Sequence, residues 1–185
     1  VWKNRLNPIF PTNHKPAEKI LPINNFHAKN IFRAKVPNPR PRALVPVFPG
    51  TNCEYDTARA LIKAGADPEI FVLRNLSPDS LEESIMELEK KILESQLLVL
   101  PGGFSGGDEP DGSAKLIAAF LRNPRLEAAL MELLYRKDGL MCGICNGFQA
   151  LVKLGLVPFG KILEQNEQSP TLAMNMSASH QSSLV

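Results

Sequence analysis

Histidine, cysteine and the largest aromatics are scarce in this 185-residue chain: three His, three Cys, one Trp and two Tyr. Each shortage excludes something. Cys53, Cys142 and Cys145 make an odd count without metal-ligand spacing, which argues against a disulfide scaffold or a zinc module and for free thiols in a reducing, cytoplasmic setting. No apolar run approaches the length that spans a bilayer and no signal peptide opens the chain, so a soluble protein without a membrane partner is expected. No internal repeat is evident. The length suits one domain with an appendage, and a first residue of Val1 rather than Met reads as a piece of a larger protein.

Charge is present in quantity but unevenly placed. Residues 1–42 carry nine Lys or Arg against the single acid Glu18, so the net charge of +2 leaves the remainder acidic. The same stretch holds seven prolines, among them Pro37, Pro39 and Pro41, which deny regular helix or sheet. It reads as a basic, extended connector from a preceding domain. A basic arm can bind nucleic acid, yet Trp2 is its only strong stacking residue and no RNA or DNA module follows. The arm is therefore assigned to a neighbouring domain surface, with no nucleic-acid partner.

From residue 43 onward, apolar runs alternate with helical patterns, the signature of a mostly parallel sheet covered by helices on both faces, an α/β fold. The spacing predicts strands over 43–48, 69–73, 96–100 and 139–144, with a last one at 171–176. Helices are predicted over 53–64, 77–94, 113–122, 124–136 and 146–154. The 77–94 helix is acidic and opens on Ser77-Pro78, proline being favoured at a first helical position. Its charges read as a solvated face. Phe148, Leu151, Val152 and Leu154 are expected to form the inner face of the 146–154 helix, with Gly155 as its stop.

Cys145 sits where the strand ending at Ile144 meets that helix, and Gly143 and Gly147 flank it two residues to either side. A strained strand-to-helix elbow needs small residues there so that the two elements can approach. The thiolate is the reactive form of cysteine, and the positive end of a following helix favours negative charge at its start. GICNGFQAL thus reads as a cysteine version of the nucleophile elbow. Cys142 and Cys145 also form a C-x-x-C. A thioredoxin-like pair would sit at a helix start, whereas Cys142 falls inside the predicted strand.

A second glycine cluster leaves the strand at 96–100: Pro101, Gly102, Gly103, Phe104, Ser105, Gly106, Gly107, Asp108. In an open α/β sheet this edge is where ligands bind, and a Gly-Gly turn can aim bare backbone N–H groups at an anion. Acyl transfer would use one N–H from this loop and one from Asn146. The loop 49–54 leaves the first strand at the same edge, so Asn52 and Cys53 could border the pocket, with capping of the loop the simpler role for Asn52. Asp108, Glu109 and Asp111 lack a regular ligand spacing and are read as solvated, with no metal site.

Taken together, VFPGTNCEYDTARAL at 47–61, LPGGFSGGDE at 100–109 and GICNGFQAL at 143–151 closely resemble the glutamine amidotransferase domain of phosphoribosylformylglycinamidine synthases. The resemblance covers about residues 43–177, and NPIFPT at 7–12 is similar to the junction before this domain in the long single-chain form. It implies a flavodoxin-like three-layer sandwich of the triad-type (class I) amidotransferases. It implies a glutaminase whose ammonia replaces an amide oxygen on formylglycinamide ribonucleotide, at the expense of ATP, in de novo purine synthesis. Cys145 would attack the glutamine amide, Gly103 and Asn146 would hold the oxyanion, and Gly102, Phe104 and Gln149 would seat the substrate. No cofactor is implied on this domain. ATP and Mg2+ belong to the synthetase domain, which the resemblance makes a partner within the same full-length polypeptide.

The chain departs from that family pattern downstream, where relatives carry the triad His and Glu. His180 is the only histidine after Cys145 and no Glu follows it, while Ala178, Ser179 and Ser183 stand where Gly, Arg and a basic residue are usual. No general base is assigned, and the fragment alone is expected to release little or no ammonia from glutamine. Two alternatives are a cysteine hydrolase of the related intracellular peptidase or chaperone type, and a non-catalytic domain that docks a synthetase.

Overall fold

Two segments of unbroken apolar sequence become the centre of the sheet. In the computed structural model, which describes residues 38–106 and 114–173, strand β1 (Arg42–Val47) pairs in parallel with β2 (Asp67–Val72) on one side and β3 (Leu97–Leu100) on the other. β4 (Leu140–Gly143) adds in parallel to β3, giving the order β2-β1-β3-β4. Leu44, Val45, Leu98 and Leu100 are buried because a central parallel strand is covered on both faces. β2 starts two residues earlier than its apolar run and includes Pro68, which an edge strand tolerates.

The connections place the helices. Strand order moves one way from β1 to β2 and the other way from β2 through β3 to β4, so right-handed crossovers put α1 (Glu54–Lys63) on one face. The other face receives α2 (Pro78–Glu94), α3 (Lys115–Leu121) and α4 (Pro124–Met131). α5 (Asn146–Leu154) packs on β3, β4 and α3 on that same side. Leu88, Ile92, Ile117, Leu121, Leu130, Leu133 and Leu154 close the core there. The expected α/β architecture, a parallel sheet with helices on both faces, is the one observed.

Local chemistry sets the helix ends. Ser77 caps α2 reciprocally: its hydroxyl accepts the Ser80 N–H at 3.2 Å, and the Ser80 hydroxyl accepts the Ser77 N–H at 3.0 Å. α4 does not run straight to Arg136 as its pattern suggests. Its last turn, Glu132–Arg136, widens into a π-helix, and the Gly139 N–H then returns to the Leu133 carbonyl at 2.9 Å. Beyond Gly155 a short further helix, α6 (Leu156–Phe159), was not expected. Of the strand expected over 171–176, residues 171–173 are irregular and the rest lies outside the described residues. So does all of the connector before residue 38.

Among the described residues β4 has no second partner strand, and Leu140 and Ile144 are 65% and 48% exposed along it. Leu140, Cys142 and Ile144 join Thr57, Ala60 and Leu61 of α1 around an apolar groove of about 400 Å³.

Candidate active site

The site forms where three loops leave the C-terminal edge of the sheet, and glycine decides how closely they meet. A Cβ on Gly143 would lie 2.5 Å from the Gly147 carbonyl oxygen, and one on Gly147 would overlap the Leu100 carbonyl group. Only hydrogen fits at either place, so β4 turns into α5 with the helix start against the end of β3. The turn falls on Cys145, whose φ of 51° and ψ of −106° are strained for a residue with a side chain. The thiol is free and exposed, at the N-terminal end of α5.

The glycine loop lies against that cysteine. The Gly102 α-carbon faces it so closely that a Cβ there would stand 3.5 Å from the Cys145 Cβ. Gly103, at φ 133°, pairs in antiparallel fashion with Thr51: Asn52 N–H donates to the Gly102 carbonyl and Phe104 N–H to the Gly50 carbonyl, both at 2.9 Å. A Cβ on Gly103 would come within 2.6 Å of Gly50 O and Asn52 N. Two hydrogen bonds flanking the Thr51–Gly103 pair define its non-bonded geometry, in which the paired residues turn their own N–H groups away from each other. The Gly103 N–H therefore points away from the 49–52 loop.

Asn146, the first residue of α5, is 2% exposed. Its backbone N–H lies in the first turn of α5, where amides point out of the helix end. Its side chain is engaged on two sides: Oδ1 accepts the Ser105 N–H at 3.3 Å, and Nδ2 donates to Gln149 Oε1 at 3.0 Å. The motif reading used only the backbone of Asn146; the side-chain link to Ser105, 41 residues away, has no signal in local sequence. Phe104 is 74% exposed at the rim and Gln149 is half-buried.

Two expectations change. Phe148 is 39% exposed rather than inward, because α5 lies so close to β3 that Gly147, Ala150, Leu151 and Leu154 take the facing positions. The Asn52 side chain makes no capping bond; only its backbone N–H is used, and Cys53, with φ of 67°, holds the cap position of α1. Cys142 lies in β4 as expected, and neither it nor Cys145 forms a disulfide. Asp108, Glu109, Asp111 and all three histidines, His180 included, lie outside the described residues. Among the described residues, no three His, Cys, Asp or Glu side chains come together as a metal cage, and no helix is long and apolar enough to cross a membrane.

Comparison with known proteins gives the family. The family model for a CobB/CobQ-like glutamine amidotransferase domain matches residues 40–185. The phosphoribosylformylglycinamidine synthase subunit PurQ of Treponema denticola is 41% identical over 119 residues, which cover 64% of this chain and 40% of the relative. The subunit of the same name from Dehalococcoides mccartyi is 33% identical over 117 residues, covering 63% and 41%. A solved structure of PurLQS from Thermotoga maritima is 30% identical with a TM-score of 0.44, covering 63% of this chain and 45% of that one. The chain thus spans about two fifths of the length of the curated relatives it matches. With all three motif strings inside the matched residues 40–185, the chain belongs to the CobB/CobQ-like glutamine amidotransferase domain family.

Proposed function

We propose that this chain is the glutamine-hydrolysing part of a phosphoribosylformylglycinamidine synthase. The observation that carries the reading is the exposed Cys145 at φ 51°, held at the start of α5 beside the Gly102-Gly103 loop. Its sulfur adds to the carboxamide carbon of glutamine, and the amide oxygen becomes an oxyanion. The N–H groups of Gly103 and Asn146 receive that charge without having to reorganise, which makes such donors effective. Collapse of the adduct expels ammonia and leaves a γ-glutamyl thioester, which water cleaves to glutamate and free thiol.

Gly102, Phe104 and Gln149 frame the substrate in this reading. The proton acceptor for the thiol lies outside the described residues. The ammonia converts formylglycinamide ribonucleotide to its amidine on a synthetase partner, where ATP and Mg2+ act. No step on this chain is routed through the metal.

Treatment with 6-diazo-5-oxo-L-norleucine, followed by peptide mapping, tests the proposal. The thiolate displaces N2 from the protonated diazo carbon, so a thioether on Cys145 that free glutamine suppresses is expected. Equal labelling of exposed Cys53 and Cys142, or no protection by glutamine, would refute a glutamine site.

A further inference from the structure

We infer that the side chain of Asn146 is a positioning residue that sets the separation of the two oxyanion donors; the inference rests on the glutaminase reading above. The donors come from different parts of the chain, Gly103 from the loop after β3 and Asn146 from the start of α5. On one flank the glycine loop is fixed to the first loop by three bonds at 2.9 Å: Asn52 N–H to Gly102 O, Phe104 N–H to Gly50 O and Gly106 N–H to Pro49 O. All of these tie it to β1. The Ser105 N–H faces the other way and ends on Asn146 Oδ1.

That bond joins the loop directly to the residue whose backbone supplies the second donor. Both ends are shut off from water, Ser105 at 1% and Asn146 at 2% exposure, so solvent does not replace the bond when it breaks. The polarity of the network is also fixed. A backbone N–H can only donate, so Asn146 must offer Ser105 its oxygen and Gln149 its NH2. Gln149 is thereby held with Oε1 toward Asn146 and its own NH2 turned away. One buried amide orients the loop, the helix start and a framing side chain together.

The test compares Asn146→Ala, Asn146→Leu and Asn146→Asp with the parent chain. For each, the rate of Cys145 labelling by 6-diazo-5-oxo-L-norleucine, split into kinact and KI, is divided by its rate with iodoacetamide. The first reagent places a ketone where the amide carbonyl sits, so addition of the thiolate to it puts an alkoxide on the two donors before the sulfur passes to the neighbouring protonated diazo carbon, the carbonyl re-forms and N2 leaves, while the second needs only a reachable thiolate. Removal of a whole oxyanion donor costs a hundredfold or more, so a displaced donor should lower the ratio about tenfold in the Ala and Leu variants, in kinact rather than KI. Asp keeps an oxygen for Ser105, and Gln149 can turn its amide to donate, so Asn146→Asp should recover the ratio to within about threefold of the parent.

Urea midpoints for every variant separate unfolding from misplacement, and Asn146→Leu fills the volume that Ala vacates. Ala and Leu variants that keep the parent ratio would overturn the inference. So would an Asp variant as slow as Ala, since the Ser105 link would then not be what positions the donors. Failure of the parent chain itself to label, or to be protected by glutamine, would instead sink the glutaminase reading.

Discussion

Replacing Gly147 by alanine sets two effects of opposite sign against each other. Gly147 is the second residue of α5, and alanine at a helical position is favoured over glycine by about 1 kcal/mol. Against this, the new methyl would stand 2.7 Å from both the carbonyl carbon and the Cβ of Leu100 and would overlap the carbonyl oxygen. Carbon atoms rest at about 3.5–4.0 Å, so a shift of roughly 1 Å is needed. What must shift is backbone in β3, between β1 and β4, with its carbonyl already accepting the Ile144 N–H at 3.0 Å. Overpacking of this kind costs about 1–3 kcal/mol and occasionally more, and a rigid neighbour places it at the upper end. A net loss of about 2 kcal/mol is expected. With a urea slope of about 1–3 kcal/mol per molar, the unfolding midpoint should fall by about 1 M. Gly106→Ala is the control, because among the described residues its methyl would meet nothing nearer than Leu116 Cδ2 at 3.6 Å. A Gly147→Ala midpoint equal to that of the control would refute the close approach on which the elbow depends.

Two further outcomes follow from contacts outside the elbow. Arg122 donates to the carbonyls of Lys153 at 2.9 Å and Leu163 at 3.3 Å, at the end of α5, so Arg122→Met should cost about 1–2 kcal/mol in urea unfolding; an unchanged midpoint would show those bonds to be of no consequence. Lys91 is hydrogen-bonded to Glu69, which with the charges of Glu69 and Glu87 raises its pKa above the ordinary 10.5 despite an opposing effect of burial. The folded form then holds its proton more tightly than the unfolded chain, so this stabilisation is complete below about pH 10.5 and is lost as pH rises through the folded pKa. Unfolding midpoints measured from pH 9 to 12 should fall more steeply for the parent than for Lys91→Met, and parallel curves would contradict that sign.

What the sequence discloses divides along one physical line, between contacts made by neighbours in the chain and contacts made across it. Buried parallel strands such as β1 and β3 are legible because they are apolar at nearly every position. The bounds of α5 are legible because a strained residue precedes it and Gly155, at φ 89°, ends it. Where a pattern is short, the signal fails. The four residues of α6 contain Pro158 and give no helical period, and the π turn after Met131 leaves composition unchanged while it alters hydrogen bonding. Phe148 departs from its expected inner position for a related reason: apolarity suggests a face, but the space available beneath a helix is set by its distance from the sheet.

The site shows the same division within a few ångströms. Gly143, Cys145 and Gly147 announce themselves in one nonapeptide, since a sharp turn is solved by adjacent residues. The pairing of Gly103 with Thr51 and of Ser105 with Asn146 is set by strand order, which puts the loops after β1, β3 and β4 side by side at one edge. Those two contacts impose opposite demands on successive residues. Phe104 and Gly106 give their N–H groups to the first loop, and Ser105 gives its own to α5. Alternation of this kind is possible only in a nearly extended segment, whose successive amides face opposite sides. A substitution that coils the segment would therefore loosen both flanks at once, and Gly102 and Gly103 serve the loop by keeping it thin between two neighbours.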